Sequence, residues 1–469
     1  MSVPGEPPAA ASTATLPGPA HAEAPHTLHE VPPRALGLLD QLGFWGNLGV
    51  SLLGFGGAVA VQAPTGLPPL PTAAALTAIV VGTLLGAAVL GGSLVLGERT
   101  GAPAMVLLRG LLGARASVVP TLLNIVQCLG WGTFELVVIA GGVRALAHGA
   151  VPDPVTVVVA GAVTTGLALR PLGMIRILRR YVSVLVVLAA AVLAAGLLTH
   201  PGRSPGAGTS WTAFWVGVDA ALAVAISWVP LGADYSRHST GPRAAFAGGF
   251  LGFGITQTAC YGIGLLALAR AGGDPDGVFD VFLSLPLGVA ALAVLVLRET
   301  DQSFANVYST AVSVQNLRPG TDRRPLAVAV GATTTLAALV LDIDRFSSFL
   351  YLIGAVFVPL SGVLLAAWTR HRGRGWDTSS AAPTRPAMLA AWLAGFVVYQ
   401  LINPGAVPGW SPFWTAAGTR LHVAGHPWLS ASVAAFAVAA ALAWPLARVG
   451  GTPDAVAPAH PSAREDHLP

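Results

Sequence analysis

About twelve stretches of roughly 20 mostly apolar residues recur along this chain at loop-length intervals, and a run of that length fits the hydrocarbon core of a bilayer as a helix. No other feature limits its possible folds as strongly. The runs fall near 37–62, 74–97, 117–144, 153–170, 180–199, 214–236, 244–270, 284–316, 325–342, 346–369, 386–403 and 427–448. In lipid, backbone polar groups must be satisfied within the segment or in a closed barrel, so runs this long predict helices and an all-α polytopic membrane protein. Composition agrees: 54% of the 469 residues are hydrophobic and 10% charged, with a mean hydropathy of +0.69, outside the balance of soluble domains. Residues 1–33, rich in Pro, Ala, His and Thr, have no apolar run. They read as a disordered tail and not as a signal peptide. Residues 451–469 read the same way, which leaves 34–450 as the transmembrane domain.

Charge sets the orientation. All 25 basic residues are arginines, and loops left on the cytoplasmic side retain excess positive charge. With twelve crossings and both termini inside, 19 of the 25 fall in cytoplasmic tails and loops, five (Arg144, Arg203, Arg270, Arg345, Arg420) outside, and Arg298 within the eighth span. Miscounting one span would reverse every later loop, so the asymmetry supports the count and predicts a multi-pass protein of the plasma (inner) membrane. The pI near 9.5 follows from these loop arginines and gives no reason to expect nucleic acid as a partner. Cys128 and Cys260 both lie in apolar segments, where a thiol packs as a small hydrophobe, and no disulfide framework or zinc spacing exists.

The first span, LGFWGNLGVSLLGFGGAVAV, carries glycines at 43, 46, 49, 54, 56 and 57. Two readings compete: small residues that let membrane helices approach closely, or a helix broken near mid-membrane whose freed carbonyls and amides line a site. The sixth span offers a second interruption at Ser227-Trp228-Val229-Pro230-Leu231-Gly232, because proline removes a helix hydrogen bond. A separation of five spans is what a five-plus-five inverted repeat gives, with the broken helices meeting at the midplane.

Charge at the bilayer centre costs at least roughly 2.5–3.5 kcal/mol, so each ionisable residue there needs a partner or a task. In the third span Glu135 stands four residues after Trp131, on the same helical face. An indole one turn from a carboxylate suits a flat ligand with N–H donors: the ring stacks and the acid accepts. The competing reading pairs Glu135 with an arginine of another helix. Asn124 and Gln127, on earlier turns, suit interhelical hydrogen bonds. In the eighth span, LRETDQSFANVYS places Arg298, Asp301 or Gln302, and Asn306 along one stripe. Thr300 and Asp301 are hard oxygen ligands for sodium, or Asp301 carries a proton. Asn306 offers donor and acceptor to a heterocycle edge. Arg298 suits a neutralising pair with Glu299 or Asp301. At the cytoplasmic end of the sixth span, Asp234 and Arg237 read as an inner lock for gating or folding.

The motifs NIVQCLGWGTFE, SWVPLGADYSR and FANVYSTAVSVQ, with GFWGNLGVSLLG at the start, together resemble the nucleobase:cation symporter-1 family. That family includes cytosine and purine permeases, hydantoin and allantoin transporters, and carriers of the thiamine precursor hydroxymethylpyrimidine. The resemblance runs from about residue 37 to 450. It implies a LeuT-type fold of two inverted five-helix repeats plus two C-terminal helices, with spans one and six broken and the substrate between spans one, three, six, eight and ten. Carried onto this sequence, Trp131 and Trp228 match the two rings that sandwich a planar base, Asn306 the asparagine that bonds it, and Ser51, more weakly, a first-span serine near the ligand. Glu135 stands where relatives more often have an amide; a carboxylate suits a 4-aminopyrimidine. Thr300 and Asp301 match two hydroxyl positions that complete a sodium site with first-span carbonyls in sodium-coupled members. The tenth-span segment DRFSSFLYLIGAVFVPLSG is most similar to the cytosine and hydroxymethylpyrimidine branches.

The expected function is therefore a secondary active symporter, coupled to sodium or protons and without a cofactor, that imports a cytosine-like base by alternating access. A hydroxymethylpyrimidine carrier and a purine, allantoin or hydantoin permease are the alternatives. An amino-acid or drug carrier of the same fold fits the paired tryptophans less well, and a passive channel lacks repeated pore-lining rings. An intramembrane enzyme is not expected, because the histidines lie almost entirely in tails and loops.

Overall fold

The computed structural model describes residues 23–64, 66–177, 181–199, 208–274, 277–340 and 346–447. Residues 1–22 and 448–469, assigned above to tails or a span end, lie outside the described residues. Among those described, the secondary structure is helical apart from one isolated bridge between Leu36 and Ser239. Every apolar run becomes helix. Span 1 is Leu38–Leu48 with Leu52–Gln62, span 2 Thr72–Thr100, span 3 Val118–Leu146, span 4 Asp153–Ala168, span 5 Ser183–Thr199 and span 6 Phe214–Ser227 with Val229–Ser236. Span 7 runs from Pro242–Ala247 through a π-helical turn, Gly248–Phe253, into Gly254–Arg270. Span 8 is Gly288–Leu317, span 9 Arg323–Val340, span 10 Phe346–His371, span 11 Pro386–Ile402 and span 12 Ala431–Leu446. Spans 2, 3, 6, 7 and 10 are each long and apolar enough to cross a membrane alone, and the halves of span 1 pass together across a bend of 59°. Span 8, 30 residues long, carries Arg298, Glu299 and Asp301 into the interior by burying all three.

Span 8 packs along span 3, span 2 along span 6, and spans 10, 11 and 12 against one another. The break in span 1 sits against the π-helical turn of span 7. There Gly49 is required by space: a Cβ on it would stand 2.1 Å from Thr256 Oγ1 and 2.7 Å from Phe253 O. One turn past the break, a Cβ on Gly56 would meet nothing within 4 Å. Gly49→Ala is therefore expected to cost about 1–3 kcal/mol through overpacking, read as a fall in Tm of the purified protein, whereas Gly56→Ala should leave Tm in place. Equal effects at both positions would refute this account of the break.

The interruption of span 6 falls at Trp228, but it is slight. Trp228 keeps helical dihedrals (φ −83°, ψ −17°), and Phe214–Ser236 counts as one crossing. Pro230 occupies the first turn of the following helix, where its missing N–H costs least. One carbonyl is put to use there: Ser227 O accepts from Gln127 Nε2 of span 3 at 3.0 Å.

Residues 23–33 correct the expectation of a disordered tail. They are tied by partners far along the chain. The buried Arg323 guanidinium donates to Pro25 O at 3.0 Å, Ala24 O at 3.3 Å, and Ala168 and Leu169 O at 3.1 Å each. Glu23 accepts from Leu172 N at 2.8 Å and Gly173 N at 3.0 Å, and Gln315 Nε2 donates to His26 O at 2.6 Å. Composition favours disorder for an isolated Pro-rich segment, but a buried guanidinium requires acceptors, and this segment supplies them.

Candidate functional site

Opening span 1 at residues 49–51 leaves backbone groups without intrahelical partners, and a cavity lies beside that opening. It is lined by Ser51 and Gly54 of span 1, Trp131 and Glu135 of span 3, Trp228 of span 6, Gln257 and Tyr261 of span 7, and Gln302 and Asn306 of span 8. Ser51, Trp131, Glu135, Trp228 and Asn306, separated by up to 255 residues in sequence, thus face one space. Its free volume is about 30 Å³, room for a water or two, so a ring-sized ligand enters only when the surrounding spans part.

Glu135 is 1% exposed. Both its oxygens accept from Asn306 Nδ2 at 3.1 Å, and that amide also approaches Gln302 O at 3.3 Å. The partner is an amide and not an arginine of another helix. A carboxylate has about four acceptor positions, so this contact leaves capacity for N–H donors from a ligand. Trp131 meets Phe349 of span 10 edge-on, centroids 5.3 Å apart. Trp228 is set edge-on by Trp45 at 6.2 Å and Phe253 at 6.4 Å. Asn124 and Gln127, two and one turns below Trp131, bond across to Ser313 Oγ at 2.9 Å and Ser227 O at 3.0 Å, which fixes span 3 against spans 8 and 6.

The polar stretch of span 8 meets the break of span 1. Glu299 accepts from Ser51 Oγ at 2.6 Å and from Leu52 N, the first amide of the second half-helix, at 3.0 Å. Arg298 pairs with Glu299 at 3.1 Å and with Asp301 at 3.5 Å, so both neutralising pairs read from the sequence form together. Asp301 accepts from Asn47 Nδ2 at 2.7 Å. Thr300 is not part of this group: it is half-buried, and its hydroxyl donates to Leu297 O of its own helix at 2.7 Å. At about 100° per residue, positions 298, 299, 301 and 302 share the half of the helix that faces the break, and position 300 falls on the opposite half. Below, Asp234 accepts from Ala104 N at 2.9 Å, at the start of the helix Ala104–Leu112, while Arg237 Nη2 donates to Tyr308 OH at 3.1 Å. They fasten the end of span 6 to two different elements.

Span 7 contributes Phe253, Gln257 and Tyr261 to the cavity, none of which sequence reasoning singled out. The available signal was the run Thr256-Gln257-Thr258 within an apolar span. Gln257 Nε2 donates to Ala221 O at 2.9 Å and Thr83 Oγ1 at 3.2 Å, which fixes its amide.

A family model described as "Permease for cytosine/purines, uracil, thiamine, allantoin" matches residues 65–381. Among solved structures, the chain resembles Mhp1, a nucleobase-cation-symport-1 family transporter in a closed conformation with bromovinylhydantoin bound. That match has a TM-score of 0.71 at 16% identity, over 92% of this chain and 95% of that one. MhsT in complex with L-phenylalanine matches with a TM-score of 0.52 at 15% identity, over 85% of this chain and 98% of that one. A manganese transporter of Eremococcus coleocola matches at 0.51 and 14%, over 91% and 97%. Among curated proteins none matches. At these identities the structural likenesses establish the fold, which is of the LeuT type.

Proposed function

We propose, from the premise that this chain belongs to the nucleobase:cation symporter family of permeases, that it imports a cytosine-like aminopyrimidine by alternating access across the plasma membrane, with both termini cytoplasmic. Members of this family are membrane transporters and not enzymes. The observation that carries the substrate reading is the acid–amide pair Glu135–Asn306 beside Trp131 and Trp228 in one buried cavity. A ring with an exocyclic amino group next to a ring nitrogen presents the donors that Glu135 can accept, while Asn306 bonds the same edge. Its faces stack on the indoles, a contact worth roughly 1–3 kcal/mol per base. Uracil presents a carbonyl where cytosine presents an amino group, and a buried carboxylate facing a carbonyl oxygen repels it. A site built to accept a donor rejects an analogue that lacks one by leaving buried groups unpaired.

Uptake of radiolabelled cytosine, hydroxymethylpyrimidine, adenine, hydantoin, allantoin and uracil into proteoliposomes tests this reading. The two aminopyrimidines should be carried and uracil should compete poorly. Preference for uracil, allantoin or hydantoin would overturn the assignment of Glu135 as the reader of an amino group.

A further inference from the structure

In sodium-coupled members of the family the expected ion site combines first-span carbonyls with ligands from span 8, so the donors at that place in this chain decide whether sodium fits. They do not fit. The carbonyl of Asn47 accepts from Arg298 Nη2. The carbonyls of Leu48 and Val50 accept from Gln302 Nε2 at 2.7 and 3.2 Å. Ser51 O faces Cys260 Sγ at 3.3 Å. The carbonyls of Asn47, Leu48, Val50 and Ser51 thus each meet a side-chain donor, and two of those donors, Arg298 and Gln302, come from the span that would complete a sodium site. Each carbonyl has two lone pairs and directs one at a donor here, so a cation would have to share these oxygens with N–H and S–H groups. Of the remaining oxygens, those of Glu299 are taken up by Ser51, Leu52 and Arg298, Asp301 Oδ2 accepts from Asn47, and Asp301 Oδ1 makes no hydrogen bond among the described residues but faces Arg298 Nε at 3.5 Å. Thr300, the hydroxyl expected to join them, is turned to its own helix.

Charge gives the same answer as geometry. The Arg298 side chain is fully buried and already supplies a positive charge between the two acids and the opened backbone. A sodium ion placed there would stand beside a guanidinium in a medium that screens the repulsion poorly. Glu135 of span 3 and Cys260 of span 7 also lie within electrostatic reach of Arg298, and neither adds an oxygen to the break. We propose that Arg298 is a tethered cation standing where the fold otherwise takes sodium, and that transport by this chain is consequently sodium-independent. The transport half of this statement rests on the symporter reading above; the binding half does not.

Two measurements on the full-length protein separate those halves. In detergent, Tm of the wild type should be the same in sodium chloride and choline chloride at equal concentration, and a sodium-specific rise would overturn the proposal. Arg298→Ala opens the position, and its lowered Tm should recover on adding guanidinium at sub-denaturing concentration, or sodium, but not choline. A folded variant that recovers with neither ion would make Arg298 a strut and overturn the proposal; if the variant does not fold, the wild-type comparison decides alone. In proteoliposomes, uptake of whichever base is carried should change by less than about twofold when choline replaces sodium. An inward proton gradient should then drive accumulation, by about tenfold per pH unit for one proton. Many-fold stimulation by sodium would refute the proposal, whereas transport of no base would refute the symporter reading and leave the Tm comparison in force.

Discussion

Replacing Glu299 by leucine is expected to destabilise the protein by about 3–5 kcal/mol, the usual result of removing one partner from a buried ion pair. Three donors converge on this carboxylate: Arg298 Nη1 at 3.1 Å, Ser51 Oγ at 2.6 Å and Leu52 N at 3.0 Å. Without it the guanidinium keeps only Asp301 as a counter-charge, and the first amide of the second half of span 1 loses its acceptor. The double replacement Arg298→Met with Glu299→Leu should be more harmful than Glu299→Leu alone, since the buried Asp301 carboxylate then loses its counter-charge. The carbonyl of Asn47 also loses its donor in that background. Thermal unfolding of the three proteins in one detergent measures this. A double variant as stable as the single one, or more so, would show that Asp301 does not depend on Arg298 as a counter-charge.

How far the sequence foretold this arrangement depends on the physical origin of each feature. Crossing helices were legible because bilayer thickness fixes the length of an apolar run, and every run expected became a helix. Short connecting helices such as Ala104–Leu112 and Pro171–Ile177 were not, since seven to nine residues leave little periodicity to read. Trp131, Glu135, Trp228 and Asn306 stood out because polar and aromatic groups in an apolar run are costly without a task. Their meeting around one cavity followed from the family resemblance. The partners of the broken backbone were hidden: Gln302 and Glu299 look interchangeable with their neighbours until the carbonyls and amides of residues 47–52, some 250 positions earlier, are set beside them. The same reason explains residues 23–33, whose order depends on Arg323 some 300 positions later.

For Trp131→Ala the expected result is a loss of substrate affinity of about 5- to 150-fold, corresponding to roughly 1–3 kcal/mol of base–aromatic stacking, with a smaller change in stability. Trp131 lies at the cavity wall and meets Phe349 on span 10, so its removal enlarges a space that already opens to admit ligand. Trp228→Ala should lose comparable affinity and also lower Tm by a larger amount, because that indole is wedged between Trp45 and Phe253. Removing a buried tryptophan from such packing typically costs about 3–5 kcal/mol. Phenylalanine at position 131 retains a π-face and should restore most of the binding that alanine loses. Equilibrium binding of labelled cytosine to the purified variants, read together with Tm, separates the two roles. Unchanged affinity in Trp131→Ala would remove this ring from the substrate site, and a phenylalanine variant no better than alanine would exclude stacking as its contribution.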